Sequence, residues 1–354
     1  MAETPCKKIL RSIVLSGGGT RCISFIGALL FLRSRGFLAG VTRWYCCSAG
    51  SLIAMLFVLG TSDISIKKFV LEFDFEKSRD INAESVFSLF ETFGVDRGFA
   101  LRKMISRLLE SLRAKANTWT LRELKEETGH DMHFFISNVT TSQPFFASAA
   151  SHPDLFVLDA IYATMAIPFY FQPYKYKDHY WCDGMMGQNF PWAYIPEEHK
   201  ATALGFYFPR LPPSDKAPSL FEYLNCIISF RNNYETDKVI AKWPANCIEV
   251  PTSEFPSILL TLSKEDRKYL FGVGLKQVKK WFSQNGHMFM KSLMLRNYPL
   301  MPYPLGHRIR SQSHSALEEQ VSDNRKSLPS PYKDSPPLQG LLQPSQRCCR
   351  RWSL

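Results

Sequence analysis

The sequence predicts an α/β fold, a largely parallel sheet covered on both faces by helices. Three observations predict it. Strand-like and helix-like segments alternate from residue 12 to about 283, the pattern that βαβ units produce. Strand segments such as HFFISNV (133–139) are apolar almost without a break, as strands buried on both faces are. The first strand runs through three glycines straight into an apolar helix-like stretch, SIVLSGGGTRCISFIGALLFLRSRG at 12–36.

In chain order, Ile13, Val14 and Leu15 mark a strand at 12–16, and the apolar run after the glycines reads as a helix at 21–34. TRWYC gives a strand within 42–46, followed through Ser48 by a helix at 49–60. Helices follow at 98–115 and 120–127, the second opened by Thr120 with Glu123 three residues on, the spacing of a capping box. A strand at 132–138 and a helix at 157–165 come next. Strands at 202–208 and 246–250 then alternate with helices at 219–240 and 264–283. RLPPSDKAPS (210–219) reads as a linker to the last helices. From 296 the character changes. Residues 296–354 hold 8 of the 22 prolines, nine serines, and nine Lys/Arg against four Asp/Glu, the composition of a disordered basic tail. The organisation expected is an extension at 1–10, a core at 11–196, a C-terminal part of the same domain at 197–295, and the tail.

Composition narrows the function. The net charge is +11, compatible with nucleic acid or an anionic membrane surface. No Lys/Arg stripe interleaved with aromatics occurs before 296, so no nucleic-acid partner is expected. The nine cysteines include the adjacent pairs Cys46–Cys47 and Cys348–Cys349 but no CxxC, so neither a disulfide framework nor a metal site is expected. Such usage fits a reducing, intracellular setting, and Asn138-Val139-Thr140 is then an idle sequon. The longest apolar runs, FIGALLFL (25–32) and LIAMLFVLG (52–60), fall short of the roughly 20 residues a membrane span needs. Arg11 and the glycines break the N-terminal apolar stretch, which argues against a signal peptide.

SGGGTR has three candidate meanings. A phosphate loop would end in Lys-Ser/Thr, and a dinucleotide loop would carry glycine where Cys22 stands and an acid about 20 residues later. Neither is present. The third is an oxyanion hole, with the Gly17, Gly18 and Gly19 N–H groups at a helix start aimed at developing charge, and Arg21 tying the loop down. Ser48, between a strand and a helix in CCSAGS, has the setting of a nucleophile elbow, where Gly50 lets strand and helix crowd together. The plainer alternative is a helix N-cap serine. The eight histidines show no motif. Asp183, ending an aromatic strand in HYWCDGMMGQNFPW (179–192) and followed by Gly184, is a candidate base, and an Asp-Gly turn is the alternative.

Taken together, these segments resemble the patatin-like phospholipase family over roughly residues 12–283. GGGTR matches the family's oxyanion loop, CSAGS its elbow and Asp183-Gly184 its catalytic aspartate. TWTLRELKEETGHDMHFFISNVTTSQPFFAS (118–148) and AIYATMAIPFYFQP (160–173) match the segments between. The resemblance implies a three-layer α/β/α fold and a Ser-Asp dyad that hydrolyses glycerolipid acyl esters without a cofactor or metal. Ser48 is then the nucleophile and Asp183 its base, with the glycine loop as oxyanion donor. A lipid or membrane surface is the expected partner, and peripheral membrane or lipid-droplet association of a cytoplasmic protein the expected location. FPSILL (255–260), the aromatic segment FYFQPYKYKDHYW (169–181) and the tail are candidate membrane contacts; core and turn packing is the simpler reading of the aromatic segment. Within QRCCRRWSL (346–354), Cys348 and Cys349 are candidate palmitate acceptors, against an unmodified end. Three positions depart from the family's pattern: Cys22 and Cys46 where glycine is usual, and Met185 where Gly or Ala is. Each adds side-chain volume near the expected site, which favours the alternative of a catalytically silent lipid-binding or adaptor protein.

Overall fold

Period-two alternation of buried side chains builds the centre of the fold. In β1 (Ser12–Leu15), Ile13 and Leu15 enter one apolar cluster while Val14 enters another. In β2 (Arg43–Cys47), Trp44 and Cys46 join the first cluster and Tyr45 the second. Successive side chains point to opposite faces of a sheet, so the two clusters are its two covered faces. A computed structural model describes residues 10–72, 75–81, 87, 89–210, 220–252, 255 and 262–293. The expected extension before Leu10, the segment 211–219, all of FPSILL except Phe255, and the tail 296–354 with its two cysteines lie outside the described residues.

The remaining strands are β3 (Gly94–Asp96), β4 (Asp131–Asn138), β5 (Gln143–Ala147), β6 (Phe169–Phe171), β7 (Tyr174–Tyr176), β8 (His179–Asp183), β9 (Ala203–Tyr207) and β10 (Cys247–Glu249). The main sheet runs β10-β9-β1-β2-β4-β8-β7, with β5 also on β4. It is parallel from β10 to β4. It then switches, since β8 and β5 pair antiparallel to β4 and β7 to β8. β3 and β6 form a separate parallel pair. The helices of eight residues or more are α1 (Ile23–Ser34), α2 (Ala49–Val58), α3 (Asp63–Glu72), α4 (Phe99–Leu112), α5 (Leu121–Thr128), α6 (Val157–Met165), α7 (Leu220–Lys242) and α8 (Lys264–Leu293). Helices α1, α2, α4 and α6 supply the first cluster. Val239 of α7, with Phe190 and Trp192, supplies the second.

The fold is thus mixed α/β with a largely parallel sheet and helices around it, as the sequence predicts. Thr120 and Glu123 form the expected capping box at α5. Helix α3 and strands β3 and β5 to β7 add to the expected pattern. Residues 169–181 fold into β6, β7 and part of β8, where Trp181 is buried and its ring stacks on Tyr176 at 4.4 Å. No helix among the described residues is long and apolar enough to cross a membrane.

Candidate active site

Ser48 stands at the turn from β2 into α2 with φ 51 and ψ −136, a backbone region that a side chain occupies only at a cost. It occupies the N-cap position of α2, yet its side chain makes no capping bond. Its Oγ donates instead to Asp183 Oδ2 at 2.6 Å. The turn is possible because α2 starts close to β1. A Cβ at Gly50 would lie 2.6 Å from the Ser16 carbonyl oxygen, so a glycine is needed there.

Asp183 reaches this point from the far side of β4. Cys47, just before the elbow, is in register with Phe135, and Asp183 is in register with Ile136. Strands two places apart are separated by roughly 10 Å, too far for Ser48 and Asp183 to meet within the sheet. The sharp turn at Ser48 carries the serine over β4. Thr164 of α6 fixes that path: its Oγ1 donates to the Phe135 carbonyl at 2.5 Å and accepts the Ser48 N–H at 2.9 Å. Nothing in the sequence singles out Thr164 beyond its being polar in an apolar helix.

The two oxygens of Asp183 have separate partners. Oδ1 accepts the Met185 N–H at 2.9 Å, the bond of an Asp-Gly turn, and a weaker contact from Cys47 Sγ at 3.7 Å. Oδ2 takes Ser48. The turn bond thus occupies Oδ1 and leaves Oδ2 to Ser48. The carboxyl is fully buried. Burial pushes it up from 3.8 to about 7, against the pull of the bonds from Ser48, Met185 and Cys47. It changes charge near neutral pH, the range suited to a base. Among the described residues no histidine lines the cavity at Ser48.

The glycine loop corrects one expectation. Gly17 donates its N–H to the Asn189 carbonyl at 3.1 Å, and its own carbonyl accepts from Asn189 Nδ2 at 3.0 Å. Gly17 therefore anchors the loop and is not free to be an oxyanion donor. Gly18 and Gly19 begin a 3₁₀ turn (Gly19–Cys22) and line the cavity with Ser48. Their N–H groups have no acceptor among the described residues. Gly19 adopts φ 55, and a Cβ at Gly18 would lie 2.2 Å from the Phe208 ring. Arg21 stacks its guanidinium on that ring, 4.6 Å from the centroid. Burial lowers Arg21 to about 10, so it stays cationic at neutral pH. Gly184 is packed against Phe135, where a Cβ would lie 2.3 Å from its carbonyl oxygen.

The three departures separate. Met185 lines the cavity. Cys46 is fully buried in the first apolar cluster, and Cys22 is buried with its Sγ 3.8 Å from the Ser16 carbonyl oxygen. Neither cysteine is part of the cavity wall, so their added volume goes into the core behind the site. Burial raises both thiols. The cavity measures about 460 Å³, within the usual range of small-molecule sites. Its far wall is α7, held in place by Asn232, which donates to the Met185 carbonyl at 2.7 Å and accepts the Asn189 N–H at 3.1 Å. Asn189 and Asn232 were not identified from the sequence. The described residues contain no cluster of His, Cys, Asp and Glu able to hold a metal ion.

A family model described as patatin-like phospholipase matches residues 13–195. A probable lipid hydrolase, 463L, of Invertebrate iridescent virus 6 is 26% identical over 186 residues, covering 52% of this chain and 62% of the viral protein. An uncharacterised protein of Bacillus subtilis, YqhO, is 23% identical over 292 residues, covering 77% of this chain and 97% of its own. Among solved structures, VipD from Legionella pneumophila superposes with a TM-score of 0.49 at 16% identity, over 78% of this chain and 67% of VipD.

Proposed function

Because the chain belongs to the patatin-like phospholipase family, we propose that it is a lipid acyl hydrolase that works through a Ser48–Asp183 dyad. The observation that carries this reading is the 2.6 Å bond from Ser48 Oγ to Asp183 Oδ2, made by a serine held at φ 51. A helix-capping serine has no need of that backbone, and a turn-forming aspartate has no need of that bond.

In the proposed reaction Ser48 Oγ attacks the acyl carbonyl carbon of a glycerolipid ester while Asp183 takes the hydroxyl proton. The carbonyl oxygen becomes an oxyanion, met by the Gly18 and Gly19 N–H groups, with the Arg21 cation nearby in the cavity wall. Collapse breaks the ester bond, and Asp183 returns the proton to the leaving alcohol. Water then attacks the acyl-enzyme, again giving its proton to Asp183, and Ser48 recovers a proton as the fatty acid departs.

The test is labelling of the full chain by a fluorophosphonate beside Ser48→Ala and Asp183→Asn. Labelling is expected in the wild type and absent in Ser48→Ala. In Asp183→Asn it should slow by on the order of 100-fold or more, the usual range for loss of a general base. A folded wild type that takes no label refutes the dyad and supports the silent lipid-binding reading, in which the same cavity holds lipid without cleaving it.

A further inference from the structure

Helix α7 is apolar on both of its sides. Its inner side carries Val239, buried in the second cluster, and Asn232, which holds the short helix Met185–Gln188. Its outer side carries Tyr223, Ile227, Phe230 and Tyr234, exposed by 56, 55, 82 and 60%. These positions repeat every three or four residues and so form one stripe along the helix. Cys226, also exposed, lies on the same stripe.

The stripe is continuous with the cavity. Phe230 and Cys226 belong both to the exposed face and to the wall of the cavity that holds Ser48. An acyl chain leaving the cavity past Phe230 would therefore run onto an aromatic and aliphatic surface. Towards the C-terminal end of the stripe, the described charged groups pair with one another. Arg210 pairs with Asp237, and Lys238 bonds Glu235 while its ammonium lies 4.2 Å over the Tyr234 ring. The stripe itself offers aromatic, tyrosyl and aliphatic contact area. Tyrosine and short aliphatic side chains flanked by a snorkelling lysine suit the boundary of a lipid bilayer.

We propose that the outer face of α7 is the surface by which the protein docks on a lipid bilayer, with its stripe in the headgroup–acyl boundary and the cavity mouth at Phe230 facing the lipid. This deepens the hydrolase reading and rests on it for the identity of the occupant.

The test uses the full chain carrying Ser48→Ala, floated with vesicles of phosphatidylcholine alone, so that the basic charge of the chain contributes little. The comparison adds Tyr223→Ser, Ile227→Ser and Tyr234→Ser, three exposed positions outside the cavity wall. Vesicle partitioning is expected to fall by on the order of 100-fold, from the apolar area removed. With Ser48 intact, the same triple variant should hydrolyse a short-chain, water-soluble ester at the wild-type rate and lose activity on the vesicles. Unchanged vesicle binding in the triple variant overturns the proposal, as does a parent that fails to bind. A parent that sediments as a dimer, made monomeric by the three serines, also overturns it by assigning the face to a second copy. Absence of soluble-ester hydrolysis by the wild type refutes the hydrolase reading alone, because the Ser48→Ala flotation still tests the docking face.

Discussion

Asp183→Asn is expected to stabilise the protein while disabling it. The native carboxyl is pushed from 3.8 to about 7 by burial. Between those values the native state holds a proton that the unfolded chain has released. Stability therefore falls as the pH rises through that window, and the loss is complete above it. At about 1.4 kcal/mol for each pH unit, the whole gap is worth about 4 kcal/mol. Asparagine cannot ionise and escapes this cost. It keeps one carbonyl oxygen for the Met185 N–H and sets its amide beside Ser48 Oγ, which can accept a hydrogen bond. Urea denaturation at about pH 5 and about pH 8 should show the advantage of the variant widening by about 2–3 kcal/mol. Midpoints of wild type and variant that move in parallel between the two conditions refute the reasoning. The catalytic trend has the opposite sign, because a base must be ionised: fluorophosphonate labelling of the wild type should rise with pH through about 7.

Further expectations follow from the same geometry. Ser48→Gly should unfold at higher urea than Ser48→Ala by about 1–2 kcal/mol, because both lose Oγ but only glycine accepts φ 51 without strain. Thr164→Val removes the acceptor of the Ser48 N–H and the donor to the Phe135 carbonyl; it should cost about 2–4 kcal/mol in denaturation and slow labelling, while Thr164→Ser restores both. Gly50→Ala drives a Cβ to within 2.6 Å of the Ser16 carbonyl oxygen and should lower stability by about 1–3 kcal/mol in the same assay. Cys46→Gly empties a place in the apolar core and should destabilise by about 1–2 kcal/mol without speeding labelling.

Much of this arrangement is legible along the chain because its signals are local. The β-branched run before SGGGTR, Gly50 two residues after Ser48, and Thr120 with Glu123 each act through neighbours close in sequence. Helix α6 spans 157–165 as expected. What the sequence withholds depends on elements meeting in space. Thr164 gains its role only where α6, the elbow and β4 converge. Gly17 loses its expected role because Asn189, brought in from beyond the aspartate, takes its N–H. Cys46 reads as an intrusion when compared with a pattern that has glycine, yet strand alternation turns it into the core. The stripe on α7 escapes notice because a helix apolar on both sides shows no clear period. The antiparallel turn of the sheet at β8 is hidden for a similar reason, since short aromatic strands resemble core packing.

That turn of the sheet bears on how the protein folds. Ser48 rides on the parallel half, and Asp183 arrives on an antiparallel strand 135 residues later in the chain. Contacts so far apart in sequence close slowly, and chains of this size commonly pass through partly assembled states. Helices and local strand pairs can regain their signal before β8 seats on β4, but the Ser48–Asp183 bond cannot form until it does. The recovery of fluorophosphonate reactivity during refolding therefore times the joining of the two halves of the sheet, and it should lag the return of helical circular dichroism.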